Sequence, residues 1–328
     1  MSKLKVGMIS FAHQHAVGYF HLLRRHPDVE IVGIADGVKD RVQRYVEESG
    51  VPYFERYEDL LATDADAVVV CSENKHHAEH TIRAARAGKH VLCEKPLGLS
   101  REEMERMIAA CEEHGVQLMT AFPCRYLPAV VEAKKAVERG EIGRIVAIKG
   151  TNRGTMPGKW FVDPELAGGG AVLDHTVHVM DLMHWFTGSR AAQVFAHAET
   201  LFHPIPTDDA GMVHVTFENG VFGVLDPSWS RPKSFPTWGD VTMSVIGTDG
   251  VIHIDGLASR NEVYSDERDK AVWSYYGDSM DEWMIDDFVA AILGRKPVPI
   301  TGRDGMQSAL VALAAYESAK AKAPVDLK

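Results

Sequence analysis

No run in this 328-residue sequence approaches the ~20 consecutive apolar residues that a membrane-spanning helix requires. The start, Met1-Ser2-Lys3-Leu4-Lys5, passes directly into a strand-like segment without an apolar h-region or a small-residue cleavage site, so no targeting signal is expected. Cysteine is scarce. Cys71, Cys93, Cys111 and Cys124 form no CxxC pair, which predicts reduced thiols in a cytoplasmic protein rather than a disulfide framework or a zinc ribbon. Positive charge is in deficit, 35 Lys and Arg against 46 Asp and Glu, for a net charge of -11. That balance disfavours nucleic acid and anionic membrane as partners, although a local basic pocket for a phosphate remains compatible with it. Internal repeats, low-complexity tracts and long linkers are absent.

The sequence does have the composition of an ordinary globular protein, 45% apolar and 25% charged, and a length sufficient for two domains. Residues 1–121 alternate short apolar runs (Lys5–Ile9, Glu30–Ala35, Ala67–Val70, His90–Cys93, Gln117–Thr120) with helical stretches, among them one opened by the capping box Ser100-Arg101-Glu102-Glu103. Strands separated by helices pair in parallel through right-handed crossovers. The expected fold there is α/β, a doubly wound parallel sheet. Residues 122–328 are richer in strand-like runs, joined at Asn219-Gly220 and Asp249-Gly250 by hairpin turns, with helices at about 171–186, 280–293 and 304–321. This half predicts an α+β domain with a large, mostly antiparallel open sheet.

A doubly wound sheet binds its ligand at the carboxyl ends of its strands, at the switch point in strand order. The first strand-to-helix turn should carry a glycine-rich GxGxxG fingerprint there, and this chain has Ser10-Phe11-Ala12-His13-Gln14-His15 instead. Ser10 and Ala12 are small enough for a diphosphate to approach the backbone, and the helix N-terminus behind them favours an anion. His15, in the third glycine's place, must either push helix and strand apart or point elsewhere. Asp36 ends the second strand. A carboxylate there accepts both hydroxyls of an adenosine ribose and repels a 2′-phosphate, which favours NAD, with Lys39 and Arg41 keeping NADP open.

The chemistry-bearing residues come later. His90-Val91-Leu92-Cys93-Glu94-Lys95-Pro96 places Lys95 just past a buried strand, with Pro96 restricting its backbone. Gly168-Gly169-Gly170 then leads into a helix on which Asp174, His178, Asp181 and Trp185 share one face. Such a stripe makes a poor apolar core face. Its imidazole suits proton transfer near neutral pH, and a neighbouring carboxylate can set its tautomer. A buried ion-pair network tying the helix to the sheet is the plainer alternative, above all for Asp181.

Together these residues resemble the Gfo/Idh/MocA family, the relatives of glucose–fructose oxidoreductase and inositol dehydrogenase. Glu94-Lys95-Pro96 and the run Gly168-Gly169-Gly170, Asp174, His178, Asp181, Trp185, Gly188 carry the resemblance most specifically. Arg125-Tyr126 with Pro128 and Gly247-Thr248-Asp249-Gly250 are weaker echoes. The resemblance implies a Rossmann domain, an open-sheet domain forming homodimers or homotetramers, NAD(P), and a sugar, polyol or sugar-derivative substrate. Carried onto matching positions, Lys95 and His178 would be the catalytic pair, with Asp174 orienting substrate or lysine. Cofactor contacts are expected from Ser10, Phe11, Ala12, His13, Asp36, Asn74, Glu94 and Lys95, and substrate contacts from Arg125, Arg153, Trp160 and His175.

This sequence departs from the family pattern in its fingerprint and in Asp174-His175-Thr176-Val177-His178, both of which add histidine. That motivates two rival readings. One is a metal-dependent or NAD-assisted lyase or glycosidase, with His13, His15 and His175 as candidate ligands. The other is a cofactor-binding sensor without turnover. His76, His77 and His80 are expected to be solvated or capping residues.

Overall fold

Apolar runs too short to bury themselves, each followed by an amphipathic helix, must stack edge to edge beneath those helices. The computed structural model, which describes residues 3–268, 271–277 and 279–327, shows this arrangement. In chain order the first elements are β1 (Leu4–Ile9), α1 (His15–Arg25), β2 (Val29–Ala35), α2 (Gln43–Ser49), β3 (Tyr53–Phe54), α3 (Tyr57–Leu61), β4 (Ala67–Val70), α4 (His77–Arg86), β5 (His90–Cys93), α5 (Arg101–Glu113) and β6 (Leu118–Thr120). Their strands form one parallel sheet in the order β3-β2-β1-β4-β5-β6, so the strand order reverses between β1 and β4. Val68, Val69 and Val70 are fully buried, as a strand covered on both faces must be. Ser100 caps α5 as expected, its Oγ accepting the Glu103 N–H at 3.2 Å while the Glu103 carboxylate accepts the Leu99 N–H.

The second series is α6 (Pro128–Glu138), β7 (Ile145–Thr151), α7 (Pro164–Ala167), α8 (Ala171–Thr187), β8 (Ala191–Glu199), β9 (Ala210–Phe217), β10 (Phe222–Asp226), β11 (Thr242–Gly247), β12 (Val251–Asp255), β13 (Arg260–Val263), β14 (Val272–Tyr275), α9 (Met280–Ile292), α10 (Gly302–Ala321) and β15 (Val325–Asp326). Seven of these strands make a sheet in the order β12-β11-β7-β10-β9-β8-β15, antiparallel except where β7 meets β10. The hairpins expected at Asn219-Gly220 and Asp249-Gly250 join β9 to β10 and β11 to β12. The β13–β14 hairpin had no signal in the sequence.

The chain divides into one unit of Met1–Phe122 with Asp281–Met306 and another of Pro123–Met280 with Gln307–Lys328. A single boundary after residue 121 leaves out the return of 281–306 to the first unit. Within the second unit, α8 lies on the sheet through Val172, Val179, Met180, Met183 and Phe186. The helix approaches β7 so closely that a Cβ on Gly150 would come within 2.6 Å of Val179 Cγ1.

Gly170, just before α8, is tighter still. A Cβ there would meet the Asp208 carbonyl oxygen at 2.0 Å, and that oxygen already accepts the Ala171 N–H at 3.0 Å. Backbone cannot rotate aside as a side chain can. Gly170→Ala is therefore expected to cost about 1–3 kcal/mol, read as a lower denaturation midpoint with an unchanged slope.

Candidate active site

At the carboxyl edge of the parallel sheet, Asp36 organises the turn after β1. Its Oδ2 accepts the Phe11 N–H at 2.8 Å and its Oδ1 accepts the Val38 N–H at 2.8 Å. Ser10 takes the place of the first fingerprint glycine and adopts its left-handed backbone, φ 66°. The Ser10 Oγ offsets that strain by accepting the Ala12 N–H at 3.1 Å and lying 3.4 Å from Asp36 Oδ2. A cleft of about 380 Å³ opens here, lined by Ser10, Asp36, Val38, Arg41, Arg56 and Tyr57 among others. Each Asp36 oxygen retains lone-pair capacity, so this pair of acceptors fits the hydroxyls of an adenosine ribose. Arg41 is held between Asp36, at 3.8 Å, and Glu73, at 2.9 Å, and so already has carboxylate partners.

Asp36→Ala removes the acceptor of two N–H groups and, with it, the carboxylate expected to take the ribose. The buried Phe11 donor, once orphaned, costs about 1–3 kcal/mol, and the Val38 donor, at a residue 46% exposed, costs less. The expected result is a lower melting midpoint together with weakened NADH binding, measured by thermal denaturation and fluorescence titration.

The next cluster is built around Glu94, which directly follows β5 and is 1% exposed. His15 Nδ1 lies 2.9 Å from Glu94 Oε1, His13 Nε2 lies 4.0 Å from Oε2, and the Lys95 N–H donates to Oε2 at 3.0 Å. Burial by itself would raise the Glu94 carboxyl, but His13, His15 and Lys95 outweigh it and hold the group well below the usual carboxylate range. His15 shows the converse. Burial lowers it, yet the Glu94 charge and hydrogen bond prevail and raise it above 6.5. Tyr19 and Asp281, at the start of α9, complete the surroundings, and burial raises both. Lys95 itself is 4% exposed, and its bond to Pro96 is cis. Asn74 is buried in a short 3-10 turn after β4.

His13, His15 and Glu94 are close enough to suggest a metal site, their candidate ligand atoms all lying within 4.8 Å of one another. The hydrogen bonding argues against it. His13 Nδ1 accepts the His15 backbone N–H at 3.2 Å, so a neutral His13 ring carries its hydrogen on Nε2, the nitrogen facing Glu94. His15 Nδ1, at hydrogen-bond distance from the same carboxylate, donates to it. Donor hydrogens occupy the edges that a cation would need. His77 and His80 also depart from expectation. Both are buried, His77 between the Pro96 and Ser72 carbonyls and His80 against Ser72 Oγ, and burial pushes His80 down to about 4.

In the second unit, the first turns of α8 carry Asp174, His175 and His178. His178 is 7% exposed, with Nδ1 3.8 Å from the Cys124 Sγ. His175 Nδ1 donates to the Pro227 carbonyl at 3.1 Å, and its Nε2 lies 3.4 Å from Asp174 Oδ2. Asp181, one turn further along, accepts from Arg125 Nε at 2.6 Å and Nη2 at 2.5 Å, and the Arg125 guanidinium stands 5.6 Å from the Trp185 ring centre. The polar stripe thus splits: Asp174 and His178 hold the N-terminal half, while Asp181 and Trp185 anchor an arginine.

The expected substrate residues have protein partners within this unit, and Gly154, next to Arg153, lies against the His175 ring. Arg125 has two of its nitrogens bonded to Asp181. Arg153 pairs with Asp240 at 3.1 Å, and Trp160 is buried and stacked on Phe161 with ring centres 3.9 Å apart. Two contributors went unread in the sequence. Asp281 has no local motif to mark it. Asp208 accepts the Gly170 and Val172 N–H groups at the head of α8 and bonds the Tyr316 hydroxyl, and it lies outside any capping position of that helix.

Comparison with known proteins follows these two halves. Residues 5–122 match an oxidoreductase family with an NAD-binding Rossmann fold, and residues 130–253 match the GFO/IDH/MocA C-terminal domain. The chain is 30% identical to the uncharacterized oxidoreductase YrbE of Bacillus subtilis, covering 95% of this chain and 94% of that protein. It is 29% identical to the myo-inositol 2-dehydrogenase of Thermotoga maritima, covering 99% of each. The crystal structure of GenD2 from gentamicin A biosynthesis, in complex with NAD, superimposes with a TM-score of 0.92 at 25% identity, over 100% of this chain and 97% of that one.

Proposed function

Because the chain belongs to the GFO/IDH/MocA family of oxidoreductases with an NAD-binding Rossmann fold, we propose that it moves a hydride between NAD and a secondary hydroxyl or ketone of a sugar, polyol or sugar derivative. The observation that carries the reading is Lys95, a lysine 4% exposed at the carboxyl edge of the sheet on which Asp36 organises a ribose-sized cleft. Relatives named for acting on myo-inositol and on 1,5-anhydro-D-fructose support the substrate class.

NAD, when bound, supplies the hydride chemistry. The chain's own residues then have three tasks. His178 takes the proton from the substrate hydroxyl, Lys95 stabilises the developing alkoxide, and Asp174 orients the reacting group. Asp36 binds the adenosine ribose and disfavours a 2′-phosphate. Incubation with NAD and a panel of inositols, aldoses and anhydro sugars tests this by absorbance of the reduced cofactor. Product formation without net reduction would shift the assignment to NAD-assisted elimination, and no turnover across the panel would leave a cofactor-binding sensor.

The proposal includes assembly and place of work. Met212, Phe222 and Val251 are 45%, 51% and 48% exposed on the sheet face away from α8. Copies of the chain pair through that face as a homodimer or homotetramer, which sedimentation would show. No helix among the described residues is long and apolar enough to cross a membrane, and the cytoplasm is the proposed location.

A further inference from the structure

The turn that should hold the cofactor's diphosphate has already used most of its own backbone donors. The Ser10 N–H bonds to the Ala35 carbonyl, Phe11 to Asp36, Ala12 to the Ser10 hydroxyl, His13 to the Cys71 carbonyl and His15 to the His13 ring. In a glycine fingerprint, several such groups are left to cradle the phosphates. Here five of the six amides from Ser10 to His15 are closed on the protein itself, and the Gln14 N–H, which makes no hydrogen bond among the described residues, is the one left.

The same substitutions bring an imidazole to the spot. His15 is the first residue of α1, where the helix's partial positive charge is concentrated. Its ring does not wedge between α1 and β1; it turns to Glu94, which is fully buried and takes the Nδ1 hydrogen. The His15 side chain is 29% exposed, and since the Nδ1 edge faces a carboxylate with no exposure, the open edge is the one bearing Nε2. Nε2 makes no hydrogen bond among the described residues. We propose that His15 grips the diphosphate of the dinucleotide, donating from Nε2 while Glu94 holds the ring from behind at Nδ1.

A ring donating from both nitrogens is an imidazolium, and the raised His15 supports that form. The groups facing it are Glu94 and Asp281, which favour the charge, Lys95, which opposes it, and the His13 and Tyr19 rings beside it. Asp281 weighs less than its formal charge because burial raises it. The sign follows directly. Diphosphate binding is full while His15 is protonated and falls as pH rises through its elevated value, above 6.5. A cradle made of backbone N–H groups would show no such dependence.

This inference rests on the dinucleotide reading, so its test uses ligands that separate the two. Adenosine occupies the ribose cleft without a phosphate; ADP-ribose adds the diphosphate. Binding of each is measured by calorimetry on the full chain from about pH 6 to about pH 9, with no turnover involved. ADP-ribose affinity is expected to fall about 10- to 100-fold across that range, the scale of one charge-assisted hydrogen bond, with adenosine unchanged. His15→Gln should bind ADP-ribose that much more weakly at the acid end and show a flat profile. A flat wild-type profile, or a His15→Gln protein that binds as wild type does, overturns the role of His15 while adenosine binding keeps the dinucleotide reading. Failure of both ligands to bind overturns both. The wild-type profile decides the matter even if the variant does not fold.

Discussion

Lys95→Ala and His178→Ala are each expected to lower kcat by about 10²–10⁴-fold, the usual contribution of a positioned acid or base, while NADH still binds. The separation matters because the two residues belong to different units, Lys95 two residues past β5 and His178 within α8. Neither bonds Asp36 or lines the cleft beside it. A residue that only shaped its own unit would lower stability and cofactor affinity together with rate. A residue that serves the reacting atoms lowers kcat and kcat/KM alike and leaves binding in place. If both handle the same proton, their effects do not add, and the double variant should be little slower than the worse single one. Single variants with undiminished kcat would remove the assignment, as would a double variant whose loss equals the product of the two.

Asp181→Ala is expected to destabilise the chain by about 3–5 kcal/mol, the range for stripping one partner from a buried ion pair. Arg125 would keep its charge at 11% side-chain exposure with two nitrogens lacking their carboxylate. Its stacking on Trp185 cannot substitute, because a ring face offers a few tenths to ~2 kcal/mol where a desolvated guanidinium needs full hydrogen bonding. At ~2–4 °C per kcal/mol for a unit of this size, the melting midpoint should fall by about 6–20 °C. Asp181→Asn, which retains one acceptor oxygen, should lose less. The paired replacement Arg125→Met with Asp181→Leu should recover much of the loss, since apolar residues of similar volume often stand in for a buried pair at little cost. A change below ~0.5 kcal/mol in Asp181→Ala, the range of ordinary surface substitutions, would mean that the carboxylate serves the substrate rather than the fold.

These two residues mark the limit of reading by period. Spacing put Asp174, His178, Asp181 and Trp185 on one face of a helix, and α8 does present them so. It could not divide the stripe, because the division depends on Arg125, which reaches Asp181 from a short 3-10 turn more than a dozen turns of chain away. His77 and His80 show the same limit. Their helical spacing suited a solvated face, yet the carbonyls of Pro96 and Ser72 and the hydroxyl of Ser72 receive them in the interior. Arg153 and Trp160 were chosen by residue type alone, and each is held by a partner of its own.

What local sequence determined is the alternation of strand and helix, the carboxylate at the tip of β2, the lysine after β5, the capping box of α5 and the hairpin turns of the second sheet. Each follows from residues within about one or two turns of chain, where periodicity, caps and turn residues act. Tertiary structure decided the rest: that His15 turns toward Glu94, that 281–306 returns to bring Asp281 near it, and that Asp181 meets Arg125. A buried charge takes the partner that packing delivers, and packing joins segments whose order along the chain leaves no mark on either one.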